Sequence, residues 1–569
     1  MPILHPCPPR LALVRPSLGR SLALSCASWL AFCAPALDAQ TQPVPGAQQG
    51  DETLLLDELA RRGARIGDVE IVVQNVFNTD NPDESKRLYH WANRVHMTTR
   101  ESVIEDILLF ERGDVLDPRV LAESARLLRS RDFLVEAIVE PSAYDEAMNT
   151  VDLKVTVRDG WSLSPEIKLG RSGGENELGL GVEENNLLGT GKSLTVSYST
   201  DVDRDEAYFG YSDPNVLGSR TRLDAVLANA SDGGRNAIAA GRPFFALDTR
   251  WSVGGAVFDE ERVDSIYDLG ETVDEFEHIR HGFSVEGGWS HGLRGRRALR
   301  WLAGFVYEHD QFEPTADVPE PLLLPPERKL AYPWVGLQLV EDDFRVMTEL
   351  NDIGRTEDVP LGLNVSASIG FSSERLGADR HATLLRIAAQ KGWEPAPGRL
   401  LLVDAAASTR RENGRYDHSI ASVGARYYHR NLENHLFLAS FNATATKRLD
   451  PEHQVLLGGD NGLRGYPLRY QSGEHSAVLT LEQRFFTDWY PFRLFRVGYA
   501  VFFDAGRIWG EDPRATSGLG MLYDVGVGLR LTSPRSSSRQ VVHIDLASPI
   551  GGDESIDDVQ LTIGTKRSF

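Results

Sequence analysis

The chain of 569 residues has very little cysteine. It contains three cysteines, Cys7, Cys26 and Cys33, and all of them lie within the first forty residues. Without those residues the chain would have no thiol, so it could form neither a disulfide bond nor a cysteine-ligated metal site. The histidines show no spacing typical of metal ligands. The sequence therefore predicts no metal site and no cofactor.

Long apolar runs and an excess of positive charge are also missing. Beyond the N-terminal region no stretch holds 18 consecutive apolar residues, which excludes a bundle of membrane-spanning helices. With 82 acidic and 60 basic residues the formal net charge is -22, which argues against a protein that binds nucleic acid through a basic face. The charged fraction of 25% is ordinary and argues against a disordered chain.

The N-terminal region has the pattern of a secretory leader. Arg10, Arg15 and Arg20 precede an apolar stretch over residues 21–36, and small residues follow it. This order predicts a signal peptide over residues 1–39 and therefore an exported protein. The residues before Cys33 weakly resemble a lipoprotein cleavage site, so lipidation of that cysteine stays an alternative.

The region between the leader and residue 160 is predicted to contain one small mixed unit. Residues 40–68 are polar and are interpreted as a linker, and residues 69–160 as an α+β domain. Apolar residues spaced at 3.6 indicate helices, and alternating ones indicate strands. The expected elements are a strand Val69–Phe77, helices beginning near Asn81, Thr98 and Asp117, and strands Leu134–Glu140 and Val151–Arg158.

Residues 161–569 show alternation rather than helical periodicity. Near the C-terminus, for example, Val542 and Ile544 alternate with His543 and Asp545. An apolar outside and a polar inside are what a strand of a membrane barrel requires. Because every backbone group in lipid must be paired, such a sheet has to close on itself. The prediction is a mainly β protein with a transmembrane antiparallel β-barrel, for which direct segmentation gives up to twenty strands.

The connectors and the tryptophans fit this prediction. Short turns such as Asn185–Gly191 alternate with longer loops such as Glu313–Lys329, as expected if the two ends of the barrel face different compartments. Tryptophans near strand ends are typical of an aromatic girdle at the membrane surface. The tryptophans expected there are Trp251, Trp289, Trp301, Trp334, Trp393 and Trp489.

Three stretches resemble one known family. They are Gly458–Tyr466, Leu479–Phe485 and Phe502–Trp509, and in this order they resemble the outer-membrane assembly and polypeptide-transport barrel superfamily. The resemblance spans about residues 69–569. It implies that residues 69–160 are a polypeptide-transport-associated (POTRA) domain, that a surface-antigen-type barrel of about sixteen strands follows, and that Phe569 is the terminal aromatic residue of a barrel-targeting strand.

Two acidic residues in these stretches are the candidate site. Alternation along their strands places Glu482 and Asp504 on the luminal side, where an unpaired carboxylate is costly. The resemblance implies that Arg464 folds into the lumen on its loop and pairs with both acids. It also implies that Gly465 allows a tight turn and that Tyr466 packs against the wall. The alternative is a solvated arginine in an external loop, with two acids facing water.

Two enzyme-like motifs are interpreted as structural. Gly288–Gly292 matches the nucleophile pattern of serine hydrolases, but strand-like sequence lies on both sides of it, whereas that motif needs a strand-to-helix turn. Residues 191–193 resemble part of a phosphate-binding loop, but a strand follows them as well. We therefore expect no enzymatic activity and no catalytic residues.

The resemblance implies a function in the outer membrane, with the POTRA-like domain in the periplasm. We expect the protein to assist the assembly, insertion or translocation of unfolded outer-membrane or secreted polypeptides. Edge strands of the small domain and the barrel seam between about Trp161–Gly170 and Val559–Phe569 would pair with the client. The expected partners are client polypeptides, outer-membrane lipid and accessory periplasmic proteins. The alternatives are a secretion transporter for one exported protein and, in another class, a passive porin or solute channel.

Overall fold

The computed structural model describes residues 56–510, 512, 520–552 and 556–566. The predicted signal peptide 1–39, with Cys33, and the terminal Phe569 lie outside these residues. The described residues form two units, one that ends at Asp159 and one that begins at Gly160. In neither unit is any described helix both long and apolar enough to cross a membrane.

The first unit is a three-stranded sheet with helices. Its central strand, Thr150–Asp159, pairs in parallel with Arg65–Gln74 and antiparallel with Leu134–Asp145. The elements are β1 (Arg65–Gln74), a 3-10 turn Pro82–Glu84, helices Arg87–Val95, Glu101–Glu105 and Pro118–Arg129, β2 (Leu134–Asp145) and β3 (Thr150–Asp159). This is the small α+β fold predicted from the sequence.

Local sequence signals explain these elements. The Asp117 side chain accepts a hydrogen bond from the Arg119 backbone N–H, and Pro118 occupies the first turn, so this helix is capped as its sequence suggests. In β3 the alternating apolar side chains are fully buried against the helices. They are Val151, Leu153, Val155 and Val157.

The first unit extends further toward the N-terminus than predicted. Residues 56–61 are helical, and Leu56 and Leu59 are buried in the core of this unit. Strand β1 begins at Arg65 rather than at Val69. Part of the segment 40–68 interpreted as a linker is therefore structured, because its leucines recur at helical spacing and bury a stripe against the sheet.

The second unit is a closed antiparallel barrel of twenty strands within the described residues. Its first ten strands are β4 (Leu163–Ser172), β5 (Glu175–Glu184), β6 (Ser193–Thr200), β7 (Asp205–Asp213), β8 (Arg222–Ala230), β9 (Gly233–Arg242), β10 (Trp251–Asp268), β11 (Glu271–Arg294), β12 (Arg297–Glu313) and β13 (Arg328–Glu341). Two short strands, β14 (Phe344–Thr348) and β15 (Thr356–Pro360), then pair only with each other.

The wall continues after that separate hairpin. Its strands are β16 (Asn364–Ser372), β17 (Ala382–Ala396), β18 (Arg399–Glu412), β19 (Arg415–Leu432), β20 (His435–Lys447), β23 (His475–Phe486), β24 (Arg496–Trp509), β25 (Met521–Thr532), β26 (Val541–Ile550) and β27 (Gln560–Lys566). Between β20 and β23 the short strands β21 (Val455–Leu457) and β22 (Gln471–Gly473) form another separate pair. The twenty-strand count from direct segmentation is right, and the sixteen implied by the family resemblance is wrong.

The two faces of the wall differ as predicted. In β5, Leu178, Leu180 and Val182 point outward and are at least half exposed to the surroundings of the isolated barrel, as lipid-facing side chains would be. The glycines between them face inward and allow close contact. A Cβ atom added at Gly181 would lie 2.5 Å from the Cβ of Ser197 on β6.

Two expectations about the barrel ends hold only in part. The tryptophans predicted for the girdle are about half exposed, except Trp334, which is 9% exposed and packs inside the barrel beside Gly304 and Gly370. Short and long connectors also occur at both ends. The two-residue turn 295–296 lies at the same end as the long connector 342–363, because an even number of strands separates them.

The barrel closes between its last and first strands. Among the described residues, strands β27 and β4 share one register pair, Ile563 with Arg171, whereas the neighbouring pairs β26–β27 and β4–β5 share seven and ten. We call the end where β4 begins the entry mouth. Here the Trp161 backbone N–H donates to the Arg535 carbonyl at 2.6 Å, so the start of the barrel is held by the turn between β25 and β26.

Candidate functional site: a loop lock inside the barrel

The connector 448–474 returns from the mouth opposite the entry mouth into the lumen. Its apolar residues Leu463, Tyr466 and Tyr470 are buried, and they pack against wall residues that include Val478 and Leu522. This packing fixes the backbone on both sides of Arg464. The loop therefore holds the Arg464 side chain in a fixed position against the inner wall.

Arg464 forms ion pairs with the two predicted acids. Its Nε and Nη2 atoms donate to the two carboxylate oxygens of Asp504 at 2.8 and 3.1 Å, and its Nη1 donates to Glu482 at 2.9 Å. All three side chains are at most 8% exposed. A planar guanidinium suits this arrangement because its donors can bind one carboxylate through a fork and a second one at the side.

The guanidinium also contacts an aromatic ring. The Cζ atom of Arg464 lies 3.3 Å from the ring centroid of Phe502. Phe502 is two residues before Asp504 on β24, so both side chains lie on the same face of the strand. Such cation–π contacts stabilise a charge that has been removed from water. We call Arg464, Gly465 and Tyr466, with Glu482 and Asp504, the loop lock.

Gly465 lies in a turn of the loop and allows that turn to approach the wall closely. The Tyr466 N–H donates to the Leu463 carbonyl at 3.0 Å, so Gly465 lies inside a tight turn, although its φ angle is not in the left-handed region. An added Cβ would lie 2.8 Å from the Cβ of Asp524 and 3.1 Å from the backbone nitrogen of Pro549. The Gly465 N–H donates to Asp524 at 3.1 Å, which a larger residue would prevent.

Tyr466 connects the loop to two wall strands. Its hydroxyl oxygen lies 2.8 Å from the carbonyl oxygen of Tyr523 on β25 and 3.0 Å from that of Ile550 on β26. It also accepts a hydrogen bond from the Tyr523 N–H at 3.2 Å. Tyr466 thus packs against the wall and adds a polar contact at the ends of both strands.

Sequence reasoning missed several charged residues around the lock. Arg484 donates through Nε to Glu482 at 2.9 Å, and Arg530 pairs with Asp545, which lies 3.6 Å from Arg464. Arg484 could have been found, because it is two residues after Glu482 and so shares its face of the strand. The cross-strand neighbours could not, since register is needed to place them.

One further cluster has the composition of a metal site but not its electrostatics. Ligand atoms of His418, Asp450 and His453 lie within 4.8 Å of one another. Asp450, however, already pairs with Arg410 at 2.7 Å and with Arg328 at 3.0 Å, and burial lowers the pKa of His453 to about 4. Two guanidinium groups beside the only carboxylate of the set repel a cation. These residues therefore form an ion-pair network.

The hydrolase-like motif is structural. Ser290 lies inside the continuous strand β11, not at a strand-to-helix turn, and its hydroxyl donates to the Leu299 carbonyl at 2.8 Å. Likewise, the turn at Gly191 is held by the Asn186 side chain, which accepts the Gly191 N–H at 2.8 Å.

The comparison with family models agrees with the family resemblance. Residues 398–566 match the model of the Omp85 superfamily domain. Similar solved structures include BamA from Haemophilus ducreyi lacking POTRA domains 1–3, with 12% identity, a TM-score of 0.38 and 94% of each chain covered. They also include CdiB from Acinetobacter baumannii, with 13% identity, a TM-score of 0.42 and coverage of 88% of this chain and 73% of that one. A search of curated proteins finds no match.

Proposed function

We propose, on the premise that this is an outer-membrane barrel of the Omp85 superfamily, that the protein helps client polypeptides to insert into or cross the outer membrane. Barrels of this superfamily serve transport and assembly without enzymatic activity. The work is done by strand pairing, because no catalytic site is needed to exchange one backbone partner for another. The clients are unfolded polypeptides with exposed strand edges.

The observation that carries this proposal is the weak seam. Within the described residues, which end at Lys566, one register pair joins β27 to β4, while each of these strands is paired along most of its length on the other side. Unpaired backbone groups at a strand edge are a template for another strand. A client strand that binds at the seam gains the hydrogen bonds that β27 and β4 do not give each other.

The small α+β unit offers a second strand edge. In its described sheet β2 lies at one edge, with β3 on one side and no strand on the other. Ile138 in this strand is 43% exposed, so an apolar side chain is available beside the free edge. We assign this edge the role of holding extended client segments before they reach the seam.

The loop lock keeps the wall beside the seam ordered. Through Arg464 and Tyr466 the loop contacts β23, β24, β25 and β26, which are the strands that lead to β27. Opening at the seam then leaves these strands in register. The same loop and the hairpin β14–β15 occupy the lumen from opposite ends, which disfavours the alternative of a passive porin.

The first test is crosslinking in cells. A photo-crosslinking residue at Ile138 on β2 is expected to capture unfolded outer-membrane or secreted polypeptides, and the same residue at Trp91, which is exposed on the helix Arg87–Val95 of the same unit, serves for comparison. Capture of many barrel proteins supports assembly, and capture of one exported protein supports the secretion alternative. Absence of captured polypeptides at Ile138 would contradict the proposed client binding.

The second test closes the seam. Cysteines at Ile563 and Arg171 join the one register pair between β27 and β4, and cysteines at Leu546 and Leu561 join an interior pair of β26 and β27 as a matched control. We expect the oxidised seam pair to stop client handling and the control pair to leave it unchanged. Equal client handling by the two oxidised variants would contradict the role of the seam.

A further inference from the structure

The long connector at the entry mouth does not stay at the strand ends. Residues 342–363 join β13 to β16, and their hairpin β14–β15 turns inward. Leu350 and Ile353, in the turn between β14 and β15, are each 2% exposed and are buried in a cluster with residues of distant wall strands. The hairpin therefore crosses the entry mouth.

The wall beneath the hairpin is apolar where a barrel interior is ordinarily polar. Register pairs place Leu438, Tyr428 and Leu400 on the luminal side, in line with Glu482. Together with the hairpin they form one buried cluster. Its members from the wall are Leu400, Tyr428, Leu436, Leu438, Phe486 and Ala500.

Hydrogen bonds at this site use backbone acceptors of the hairpin. Arg484 donates to the Leu350 carbonyl at 2.9 Å, and Arg430 donates to the Thr348 carbonyl at 2.8 Å. The Tyr428 hydroxyl also donates to the Asn351 side chain at 3.2 Å. Backbone carbonyls occur in every polypeptide, so these wall donors suit any extended segment and not one particular sequence.

The turn of the hairpin is also held by hydrogen bonds within the hairpin itself. Glu357 accepts hydrogen bonds from the backbone N–H groups of Leu350, Asn351 and Asp352 at 2.8–3.1 Å. The turn is thus organised by a residue of the hairpin itself. A segment with this internal bonding can leave the wall as one body, without unfolding.

The tip of the hairpin reaches the base of the seam. Arg355 donates to the carbonyls of Pro534 and Ser536, in the turn between β25 and β26. That turn also binds Trp161, at the start of the first barrel strand. The position of the hairpin and the position of the first strand are therefore linked through one turn.

We propose that the apolar inner wall at the entry mouth is a binding site for an extended apolar segment of a client polypeptide, and that the hairpin β14–β15 occupies this site in the resting state. The inference rests on the proposed function. When the hairpin leaves, its place offers an apolar surface with two arginine donors for backbone carbonyls and one tyrosine hydroxyl. Its departure also releases the turn that holds Trp161, so binding of a client favours opening of the seam.

The geometry allows an engineered disulfide bond that tests this proposal. A Cβ at Gly354 would lie 3.9 Å from the Cβ of Pro534, which suits a disulfide bond, so Gly354→Cys with Pro534→Cys ties the tip to its seat. The φ of Gly354 is +75°, and the reduced form of the same variant controls for the resulting strain. Arg294→Cys with Arg297→Cys, across the short turn between β11 and β12 at the same mouth, is the control pair.

The probe is a small outer-membrane barrel protein that has been unfolded in urea and is added to the full-length protein in phosphatidylcholine vesicles. We expect its insertion to slow about tenfold on oxidation of the Gly354–Pro534 pair, if about a tenth of the molecules stay reduced, because only those can vacate the site. Reduction should restore the rate, and oxidation of the control pair should not change it. A photo-crosslinker at Leu402, at the margin of the cluster, should capture the probe only when the pair is reduced.

A second variant has the opposite expected effect. Leu350→Ser with Ile353→Ser weakens the seat, and it should raise both capture of the probe at Leu402 and ion conductance in planar bilayers. Equal insertion rates for the oxidised and reduced tip pair, with the unmodified protein active, would overturn the inference and leave the proposed function standing. An unmodified protein that neither speeds insertion of the probe nor captures any polypeptide from Ile138 in cells would overturn both.

Discussion

Arg464 and Arg484 bind opposite oxygens of the same carboxylate. Arg464 approaches Glu482 from the loop, and Arg484 approaches it from the wall, each at 2.9 Å. Arg484 also donates to the carbonyl of Leu350 in the hairpin. One buried carboxylate therefore connects a loop from one mouth with a hairpin from the other, so that movement of either segment changes the electrostatic surroundings of both.

The first prediction concerns the arginine of the loop lock. Arg464→Ala leaves Glu482 and Asp504 without their shared cation, at a cost of about 3–5 kcal/mol for a buried pair that loses one partner. We expect the loop to leave its seat while the wall stays folded. Limited proteolysis of the loop, together with heat-dependent migration of the barrel on gels, measures the two effects separately.

The matched control is Arg448 in the same loop, which pairs with Asp417 but is 39% exposed. Arg448→Ala should leave proteolysis of the loop nearly unchanged, because exposed ion pairs contribute little. Equal protease sensitivity of the two variants would show that burial of Arg464 does not hold the loop.

The second prediction separates space from charge. Gly465→Ala keeps Arg464, Glu482 and Asp504 but adds a Cβ that would lie 2.8 Å from the Cβ of Asp524. The loop should therefore be displaced, although all residues of the ion pairs are still present. Gly564→Ala is the control, because a Cβ there meets nothing within 4 Å. Crosslinking yield between the loop and β25 is the measurement. A normal yield for Gly465→Ala would contradict the close approach described here.

The third prediction concerns the tyrosine hydroxyl. Tyr466→Phe removes its hydrogen bonds to Tyr523 and Ile550 but keeps the ring, so it should weaken seating of the loop by about 1–3 kcal/mol. Hydrogen exchange of the backbone amides at the ends of β25 and β26 should rise in this variant. An unchanged exchange rate at Tyr523 would show that the ring alone holds the loop.

The fourth prediction is a pH dependence of the hairpin. Burial raises the pKa of Asp352 although Arg355 and Arg539 oppose the shift, and burial raises the pKa of Glu357 although backbone N–H groups oppose it. A carboxyl group whose pKa is higher when the hairpin is bound to the wall than when it is released stabilises the bound position while the group is protonated. That contribution is lost as the pH rises through the raised values. Conductance in planar bilayers should therefore be lower in acid than at neutral pH.

The control for this effect is the pair Asp352→Asn with Glu357→Gln. These side chains cannot ionise, so the conductance of the variant should depend less on pH than that of the unmodified protein. A pH dependence of equal size in both would assign the effect to other groups.

The sequence is sufficient to predict those parts of the fold in which apolar and polar residues alternate regularly along the chain. Alternation identified the barrel strands, and their number by direct count, because each strand needs a lipid-facing row of apolar residues. The resemblance to a known family located Arg464, Glu482 and Asp504, which the structure brings together. It misled on the number of strands.

The remaining features depend on register and on long-range contacts. The hairpin β14–β15 looked like any other connector, since its apolar residues Leu350 and Ile353 meet their partners only across the lumen. Arg530 and Asp545 approach the lock from strands far along the chain. Trp334 is predicted on the wrong face of β13. The apolar residues Val335 and Leu337 beside it face lipid, so the sequence does not show which alternate residues of this strand point inward.

The number of strands has a consequence for the permeability of the envelope. The diameter of a barrel grows about linearly with its strand count, so twenty strands enclose a cross-section about one and a half times that of sixteen. An empty cylinder of that width would leak nutrients, ions and toxic compounds in both directions. Two inserted segments, each bound to the same carboxylate system, let a wide cylinder exist in the membrane without becoming a leak.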